Sequence, residues 1–566
     1  MRRSGRQKST QVPWTSKVSA RTFASDAACA MSLIIPICPA EHRLRIRLAS
    51  NHRRAIPCLM TEATPGPLSI GALRAAVLEG REPPPLQAVA RLASYRWFVV
   101  ATVCIGACMG QLDASMTQML LPRLEREFAA RLSTVSWVAI SYLLTLAAFA
   151  PIFGRLADLI GRKLMYTSGF LIFLAGSTLC GFATDLPMLI AFRILQATGA
   201  ALLTSNGIAI IVMAVGPEER GRALGLLSAA QAVGLGAGPA VGGLVLDTLG
   251  WQWAFWINVP VGLAGAVLGW LVLPRSSLSP DTGGFDWRGA ILIAPAMTAV
   301  MAVLNQLHAW GPTSPALLGC LLLAIVLLVL FIRTERRAAA PLLDLHLLGK
   351  PAFLLGNMSN FLSYAALFGV FFVIPFALVR VYHDSELAAG LRLSILPVVL
   401  GLVAPIGGAL SDRLGSRVPT FCGMLICVVG LALLYVFLDG TPGNMPMVML
   451  ALAVFGAGQG LFISPNSSAI MATAPADKTG QAGSALNVVR FLGISAGVSA
   501  GSTVLALGLG RIEGSTLDVA PALLVGASRD VVLMLGILAA LAGLIALIRP
   551  ARPQTTEAGG DGHKTA

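Results

Sequence analysis

The chain has 566 residues, of which 56% are hydrophobic and only 12% are charged, and its formal net charge is +14. Because soluble domains carry about 25% charged residues, this composition excludes a soluble enzyme, a nucleic-acid-binding protein and a secreted disulfide scaffold. Residues 1–60 hold eleven Lys and Arg against two acids, a net charge of +9. The basic balance therefore reflects the N-terminal segment and the loops, and no nucleic-acid partner is expected.

The segment of residues 1–95 contains no apolar run of membrane-spanning length and is rich in Arg, Ser and Pro. This composition predicts a disordered basic extension. It also fits a transit peptide, which is rich in Arg and Ser and poor in acids. We favour a third interpretation, in which the start codon lies further downstream and Met60 is the first residue.

Fourteen apolar segments follow, each close to the length of about 20 residues that crosses a bilayer as a helix. They predict an all-α polytopic membrane protein. The predicted spans are 97–118, 134–154, 163–183, 186–212, 223–245, 252–273, 289–307, 315–333, 353–378, 388–410, 418–438, 446–471, 482–507 and 530–548.

The distribution of Lys and Arg between the predicted loops indicates the orientation of the chain. An even number of spans places both termini on one side of the membrane. The loops and tail on that side carry 17 Lys and Arg, even without the N-terminal extension, against six on the other side. Since cytoplasmic loops carry the excess of positive charge, we expect an inner (plasma) membrane protein with both termini in the cytoplasm.

The loop after the second span is repeated in the second part of the chain. At a constant offset of 254 residues, Pro151, Gly154, Leu156, Asp158 and Gly161 recur as Pro405, Gly408, Leu410, Asp412 and Gly415. Two homologous six-helix bundles, at 96–273 and 351–549, account for this repeat, with two linker helices and loops at 274–350 and a cytoplasmic tail at 550–566. Repeated halves are typical of transporters that bind their substrate at the repeat interface.

The first copy of the loop resembles the signature G-x-L-x-D-x-x-G-R-K of the major facilitator superfamily. It contains Gly154, Asp158, Gly161, Arg162 and Lys163. Glycine permits a tight turn between two helices, and Asp158 can cap a helix or pair with Arg162. We expect these residues, together with Asp412 of the second copy, to form a gating loop.

The fifth span resembles the antiporter signature G-x8-G-x3-GP-x2-GG. The matching residues are Gly225, Gly234, Gly238, Pro239, Gly242 and Gly243. Glycines spaced four residues apart form a bare stripe on which a neighbouring helix can pack closely. Gly176 has no such companions, so Gly238→Leu is expected to damage function more than Gly176→Leu. The resemblance implies export by proton exchange.

Two further segments point to a membrane-embedded ion pair. Arg193-Ile-Leu-Gln196-Ala-Thr-Gly resembles the R-x-x-Q-G-x-G motif of the same exporters, with Ala197 where the family usually has Gly. Leu112-Asp113-Ala-Ser … Leu-Pro resembles their first-helix L-D-x-T … L-P motif, with Ser in place of Thr. An arginine inside a membrane helix normally faces a partner or a cavity. We expect Asp113 to pair with Arg193 and to carry protons; the alternative is a static ion pair. Asp113 is the only carboxylate that this interpretation places well inside a span.

Other polar residues of the spans give weaker signals. Each could line a substrate cavity or form an interhelical hydrogen bond: Gln111, Gln196, Asn206, Asn357, Asn360, Gln459 and Asn466. Arg490 lies in the thirteenth span. The sequence contains no P-loop, dinucleotide-binding glycine motif or metal-ligand spacing, so no cofactor and no metal is expected.

The resemblance covers about residues 95–550 and implies the fourteen-helix drug:proton antiporter family of EmrB/QacA-like multidrug efflux transporters. Its fold is the major facilitator fold, with two six-helix bundles and two extra central helices. The expected function is export of small amphipathic drugs in exchange for protons. The alternative is proton-coupled export of an endogenous metabolite such as an antibiotic or siderophore. Expected partners are the bilayer, the substrate, protons and, for tripartite efflux, a periplasmic adaptor with an outer-membrane channel.

Overall fold

The structure is a computed structural model that describes residues 82–216, 219–276, 286–311, 313–338, 345–474, 479–509 and 519–550. The predictions for residues 1–81, including the start at Met60, and for most of the 550–566 tail lie outside the described residues, as does the side chain of Asp412. The described residues form fourteen long helices, which we number in chain order: α1 Tyr95–Glu127, α2 Trp137–Ile160, α3 Arg162–Gly181, α4 Leu186–Ala214, α5 Arg220–Thr248, α6 Asn258–Val272, α7 Trp287–Trp310, α8 Pro315–Glu335, α9 Pro351–Arg380, α10 Glu386–Leu414, α11 Arg417–Phe437, α12 Met445–Met471, α13 Thr479–Gly508 and α14 Pro521–Ile548.

A helix stands at each of the fourteen predicted positions. Of the described parts of the chain, thirteen helices are long and apolar enough to cross a membrane, judged by length and composition. The remaining helix is α7, which runs to Trp310 and whose described side chains form the shorter apolar stretch Trp287–Val303. The all-helical prediction is confirmed over the described residues, which contain no strand.

Two glycines of the repeated loop make the turns that end helices. Gly161 joins α2 to α3 with a φ of 122°, and Gly415 joins α10 to α11 with a φ of 74°. A side chain is strained at such φ values, so glycine is favoured at both positions. The turn before α4 is built differently: the Asp185 side chain accepts a hydrogen bond from the Met188 backbone N–H at 2.8 Å. An aspartate at this position caps the helix N-terminus.

The first helix is longer than the sequence predicted. Its predicted end is residue 118, whereas α1 continues to Glu127 with Pro122 inside it. Leu120, Leu121 and Leu124 are buried and extend the apolar surface of the helix, while the charged residues around them resemble a loop. Glu125 is therefore also inside α1, close to its end, and is fully buried. The predicted span, which ended at residue 118, left this carboxylate outside.

Residues 82–94 differ from the predicted disordered extension. They include a short helix, Gln87–Ala90, and the Leu86 backbone N–H donates to the Leu271 carbonyl at the end of α6, at 2.8 Å. Glu82 is buried, and its carboxylate accepts hydrogen bonds from the backbone N–H groups of Leu164 in α3 and of Ser276 after α6. The prediction of disorder is wrong for these residues.

The same helix pairs pack together in each half of the chain. In the first half α1 packs on α5, α2 on α4, and α3 on α4 and α6; in the second half α9 packs on α13, α10 on α12, and α11 on α12 and α14. Contacts between the halves follow the same symmetry, since α5 packs on α10 and α13 packs on α2. The extra helix α7 packs on α2 and α13, and α8 packs on α7.

The central helices are buried unevenly along their length. We call the end with the α2–α3 and α10–α11 turns the loop end, and the opposite end, where α1 and α9 finish, the far end. In α9 every residue from Ala365 to Val379 is buried, whereas buried and exposed residues alternate from Pro351 to Leu362. In α2 the residues from Val138 to Ala148 are all buried, but those after Ile152 are mostly half-exposed. The halves therefore seal together at the far end and are less buried at the loop end.

Candidate transport site and signature loops

Asp113 lies at the centre of a buried polar cluster that joins three helices of the first half. Its Oδ2 accepts a hydrogen bond from Nη1 of Arg193 at 2.7 Å, so the predicted ion pair is confirmed. Its Oδ1 accepts from Nε2 of Gln196 at 2.9 Å and from Nδ2 of Asn258 at 3.1 Å. Asp113 and Gln196 are 0% exposed and Arg193 is 1% exposed. Each group of the cluster is thus held by others, and a carboxylate on α1 joins α4 and α6.

The Arg193 guanidinium is also fixed from its other sides. Its Nε donates to the Val138 carbonyl at 3.2 Å, and Nη1 donates to Oε1 of Gln196 at 2.6 Å. The carbon of the guanidinium lies 4.2 Å from the centre of the Tyr142 ring and 5.6 Å from that of Phe255. Aromatic faces attract cations. The guanidinium is therefore both charge-paired and held in place between two rings, one from α2 and one from the short helix Trp253–Trp256 that precedes α6.

Three members of this cluster were missed by sequence reasoning. Asn258 begins α6, Tyr142 lies in α2, and the Ser177 hydroxyl accepts a hydrogen bond from Nε2 of Gln196 at 2.6 Å. Asn258 is a lone polar residue in an apolar stretch, and Ser177 stands beside Thr178 in another; the sequence offers no stronger signal for either. Nothing in their spacing connects them to Asp113, which lies 145 residues before Asn258.

The glycine stripe of α5 packs against the helix that carries Asp113. Gly234 faces the backbone of Cys108 and Gly242 faces Met116, so the stripe follows α1 for more than two turns. A Cβ added to Gly238 would lie 2.9 Å from the Leu112 carbonyl oxygen and closer still to the Ser115 hydroxyl. The predicted close approach of a neighbouring helix is confirmed, and that helix is α1.

The remaining residues of the antiporter signature have different surroundings. Gly243 faces the backbone of Glu386, and the Pro239 carbonyl faces Gly390; both partners belong to α10 of the other half. A Cβ on Gly225 would meet nothing within 4 Å. The signature thus contributes to two interfaces, one with α1 and one between the halves.

Gly176 is packed more tightly than its isolated position suggested. A Cβ added there would lie 2.5 Å from the backbone nitrogen of Gln196. The absence of companion glycines therefore does not mean free space at Gly176, because close helix packing here needs no four-residue repeat. Whether Leu is more damaging at Gly238 than at Gly176 stays a prediction.

The signature loop is held by residues from before the first span and after the sixth. Arg162 pairs with Asp158 one turn earlier, as the sequence indicated. Oε1 of Glu82 accepts a hydrogen bond from the Leu164 backbone N–H at 2.9 Å, and Oε2 accepts from the Ser276 N–H at 2.7 Å. The buried Lys163 donates from Nζ to the Pro83 carbonyl at 3.0 Å. Glu82 therefore joins the start of α3 to the segment after α6.

At the second copy of the loop, an arginine provides the corresponding connection. Nη2 of Arg549 donates to the Ser416 hydroxyl at 2.9 Å, and Nη1 donates to Oδ1 of Asn466 at 2.8 Å. Nδ2 of Asn466 in turn donates to the Gly356 carbonyl at 3.2 Å. The residue after α14 thus fastens the α10–α11 turn to α12 and α9.

The polar residues predicted to line a cavity have unequal surroundings. Besides Asn466, Gln459 makes an interhelical hydrogen bond, accepting from the Ser363 hydroxyl at 2.8 Å. Buried Asn206 and Asn357 donate to carbonyls of their own helices. Gln111 is half-buried, and Gln196 belongs to the Asp113 cluster. Asn360 is 1% exposed, and neither of its amide atoms has a hydrogen-bond partner among the described residues.

A second buried ion pair connects the two halves at the far end. Nη2 of Arg380, at the end of α9, pairs with Oε2 of Glu125 on α1. The Glu125 side chain is 0% exposed and that of Arg380 is 6% exposed. Sequence reasoning missed this pair, because both residues stand near helix ends where charges normally face water.

Arg490 on α13 has aromatic neighbours but no ion pair among the described residues. The carbon of its guanidinium lies 4.9 Å from the centre of the Phe491 ring and 5.9 Å from that of Tyr364. The described residues also contain no group of three or more His, Cys, Asp or Glu that could hold a metal ion.

Comparison with known proteins identifies the family. The Major Facilitator Superfamily model matches residues 103–498. The Riboflavin transporter RibZ of Clostridioides difficile (strain 630) is 33% identical over 417 residues, which cover 73% of this chain and 89% of that protein. The Multidrug resistance protein B homolog of Mycobacterium tuberculosis (strain ATCC 25618 / H37Rv) is 29% identical over 414 residues, 72% of this chain and 75% of that protein.

The fold is similar to a solved structure. A bacterial homolog to the human lysosomal transporter Spinster, in an inward-facing and unoccupied conformation, aligns with a TM-score of 0.57 and 17% identity, covering 80% of this chain and 98% of that one. Proteins of this fold and family are transporters and not enzymes. The apolar helices, the repeated packing of the two halves and the matching family model together show that the chain belongs to the major facilitator superfamily and is a multi-pass membrane transporter.

Proposed function

We propose that this transporter exports small amphipathic compounds in exchange for protons, and that Asp113 and Arg193 couple the two movements. The observation that carries the proposal is the position of Asp113, which joins α1 to α4 and α6 through Arg193, Gln196 and Asn258. In addition, the glycine stripe of α5 packs on the same stretch of α1. A change in the charge of Asp113 would therefore affect several helix contacts at once.

Protonation of Asp113 removes the negative charge that Arg193 is paired with. A buried arginine without its partner is strongly unfavourable, so the first half would have to rearrange or Arg193 would have to find another acceptor. Release of the proton restores the pair. In this mechanism the proton and the substrate favour different arrangements of α1, α4 and α6, and their binding is mutually exclusive.

The proton gradient supplies enough energy for export. One charge that crosses a potential of about 150 mV contributes about 3.5 kcal/mol, equivalent to a gradient of a few hundred-fold. The orientation proposed from the Lys and Arg distribution places the loop end and both termini in the cytoplasm. The less buried loop end would then admit substrate from the cytoplasm.

The test is transport by purified protein in proteoliposomes. With a pH gradient, the wild-type protein should accumulate a fluorescent amphipathic compound against its concentration gradient, and collapse of the gradient by an ionophore should abolish this accumulation. Accumulation that persists without a proton gradient would contradict proton coupling.

Export of an endogenous metabolite is the second candidate function, and one observation favours it. The relative with 33% identity is named a riboflavin transporter, whereas another relative is named a multidrug resistance protein. An efflux assay with a panel of drugs and metabolites in a pump-deficient host separates the two. Dependence on a periplasmic adaptor and an outer-membrane channel can be measured in the same host by deleting them.

A further inference from the structure

Arg490 is an intramembrane cation that the proposed coupling mechanism does not use. It is the twelfth of the 30 residues of α13, about 16 Å along the helix from its loop end. No ion pair to it is found among the described residues, and its Nε is buried without a hydrogen-bond partner there. Charged residues in membrane helices normally have a partner or serve the transport path.

Arg490 contacts the side of α9 that carries Tyr364. Two other sides of α9 are occupied. Ser359 and Ser363 lie one turn apart on one side and bond to the Ala542 carbonyl of α14 and to Gln459 of α12, and on the opposite side the backbone of Phe361 faces Gly493 of α13.

At 100° per residue, Asn360 and Tyr364 lie together on a third side of α9, between the other two. The Arg490 guanidinium lies beside the Tyr364 ring, so it stands at the same side.

The approach to this position is open toward the loop end. From Gly483 to Asn487 the described residues of α13 are half-exposed, and Arg490 itself is half-exposed. In contrast, nearly all residues from Phe491 to Gly501 are buried. A compound that enters from the loop end therefore meets Arg490 before the sealed part of the helix bundle.

The buried carboxylates deeper in the bundle are already paired. Asp113 is 0% exposed and bonded to Arg193, and Glu125 is 0% exposed and bonded to Arg380. A cationic compound would find no free carboxylate at either position. An anionic compound would find a guanidinium, the group best suited to bind a carboxylate or another oxyanion through two hydrogen bonds.

We propose that Arg490 binds an oxyanion group of the transported compound, with Tyr364 and Phe491 against its apolar body and Asn360 as a hydrogen-bonding partner. The preferred substrates are thus amphipathic organic anions. This inference rests on the proposed export function and specifies its substrate class. The buried amide of Asn360, which lacks a partner among the described residues, can donate to an anion or accept from a hydroxyl.

The test compares three probes with the same fluorescent body: pyrenebutyrate, its neutral methyl ester and the cationic pyrenebutylamine. Binding to the full-length protein in detergent is measured by fluorescence polarisation. We expect the wild-type protein to prefer the butyrate. Arg490→Gln should raise the Kd of the butyrate by about 10- to 100-fold, as for the loss of a hydrogen bond to a charged group, and leave that of the ester within about twofold.

Two further variants make the outcome specific. Arg490→Lys keeps the positive charge but lacks the planar guanidinium, so its affinity for the butyrate should lie between those of the wild-type protein and Arg490→Gln. Arg333→Gln removes an exposed arginine of α8 and should change no affinity. If Arg490→Gln raised the Kd of all three probes equally, Arg490 would have only a packing role. A wild-type protein without preference for the butyrate would also overturn the proposal.

The binding assay also separates this inference from the proposed function. It needs no proton gradient, so a failure of proton-driven accumulation in proteoliposomes leaves the preference for the anion measurable. Conversely, proton-driven export of pyrenebutylamine in preference to pyrenebutyrate would support antiport and reject the role of Arg490.

Discussion

Gly238 lies directly against Ser115, two residues along α1 from Asp113. The α5 glycine stripe and the buried carboxylate therefore share one helix contact. This relationship gives the antiporter signature a physical meaning: it keeps α1 and α5 close enough that a movement of Asp113 and a movement of α5 cannot be independent.

Substitution of Gly238 by Leu should force α5 away from α1 and lower the proton-driven transport rate by about 5- to 100-fold, the equivalent of an overpacking cost of about 1–3 kcal/mol. The matched control is Gly536→Leu in α14, where an added Cβ meets nothing within 4 Å. Transport rates per correctly inserted protein are compared in proteoliposomes. Similar rates for the two variants would contradict the importance of the stripe.

Substitution of Asp113 by Asn retains size and hydrogen bonding but removes the titratable group. We expect the loss of uphill export driven by a pH gradient, with downhill exchange of substrate preserved. Arg193→Ala should also be damaging, because removal of one member of a buried pair costs about 3–5 kcal/mol. The two changes should not be additive, since they act on one pair. Uphill transport and counterflow are measured side by side, and full uphill activity of Asp113→Asn would reject the coupling role.

Glu125 and Arg380 should contribute to closure of the far end. Glu125→Ala leaves Arg380 buried without this partner and should destabilise the closed arrangement by about 3–5 kcal/mol. The double variant Glu125→Ala with Arg380→Ala should recover part of the loss. A double-mutant cycle of thermal stability in detergent, with labelling of a cysteine introduced at the far end, checks both effects. Additive effects of the two substitutions would show that the pair is not coupled.

Asp158→Asn should slow turnover while leaving substrate affinity nearly unchanged. Asp158 pairs with Arg162 at the loop end, away from the Asp113 cluster in the buried part of α1. Its loss should therefore alter the movement of α2 against α3 and leave the binding residues in place. The Kd of a fluorescent substrate and the transport rate are measured on the same preparation. A large rise in the substrate Kd with a normal turnover rate would instead show that this loop belongs to the binding site.

Truncation from the N-terminus should become harmful only when it reaches the Glu82 contacts. A protein that begins at Met60 should retain expression and transport. Deletion of all residues up to Leu86 should be harmful, because it removes the hydrogen bonds that Glu82 and Pro83 make to the start of α3. Glu82→Ala alone should cost about 0.5–2 kcal/mol, as for loss of a helix cap. Glu127→Ala is the control, because that side chain is 43% exposed. The thermal unfolding temperature in detergent and the transport rate are measured for each variant. Loss of transport in the protein that begins at Met60 would reject the proposed start.

The sequence by itself determined the number and approximate positions of the helices, the glycine turns of the repeated loop and the pairing of Asp113 with Arg193. Apolar runs of about 20 residues have few alternatives in a bilayer, because a helix satisfies all of its backbone hydrogen bonds internally. The pairing was predictable for a similar reason: an intramembrane carboxylate and arginine are both costly when they stand alone.

Only the tertiary structure decided which residues surround these groups. Asn258 reaches Asp113 across 145 residues of sequence, and Arg380 reaches Glu125 across 255. Hydrophobic periodicity records which face of a helix is buried, but it does not record which distant helix covers that face. For that reason three features could be found only in the tertiary structure: the close packing of Gly176, the hydrogen bonds that Glu82 makes to other segments, and the half-exposed position of Arg490.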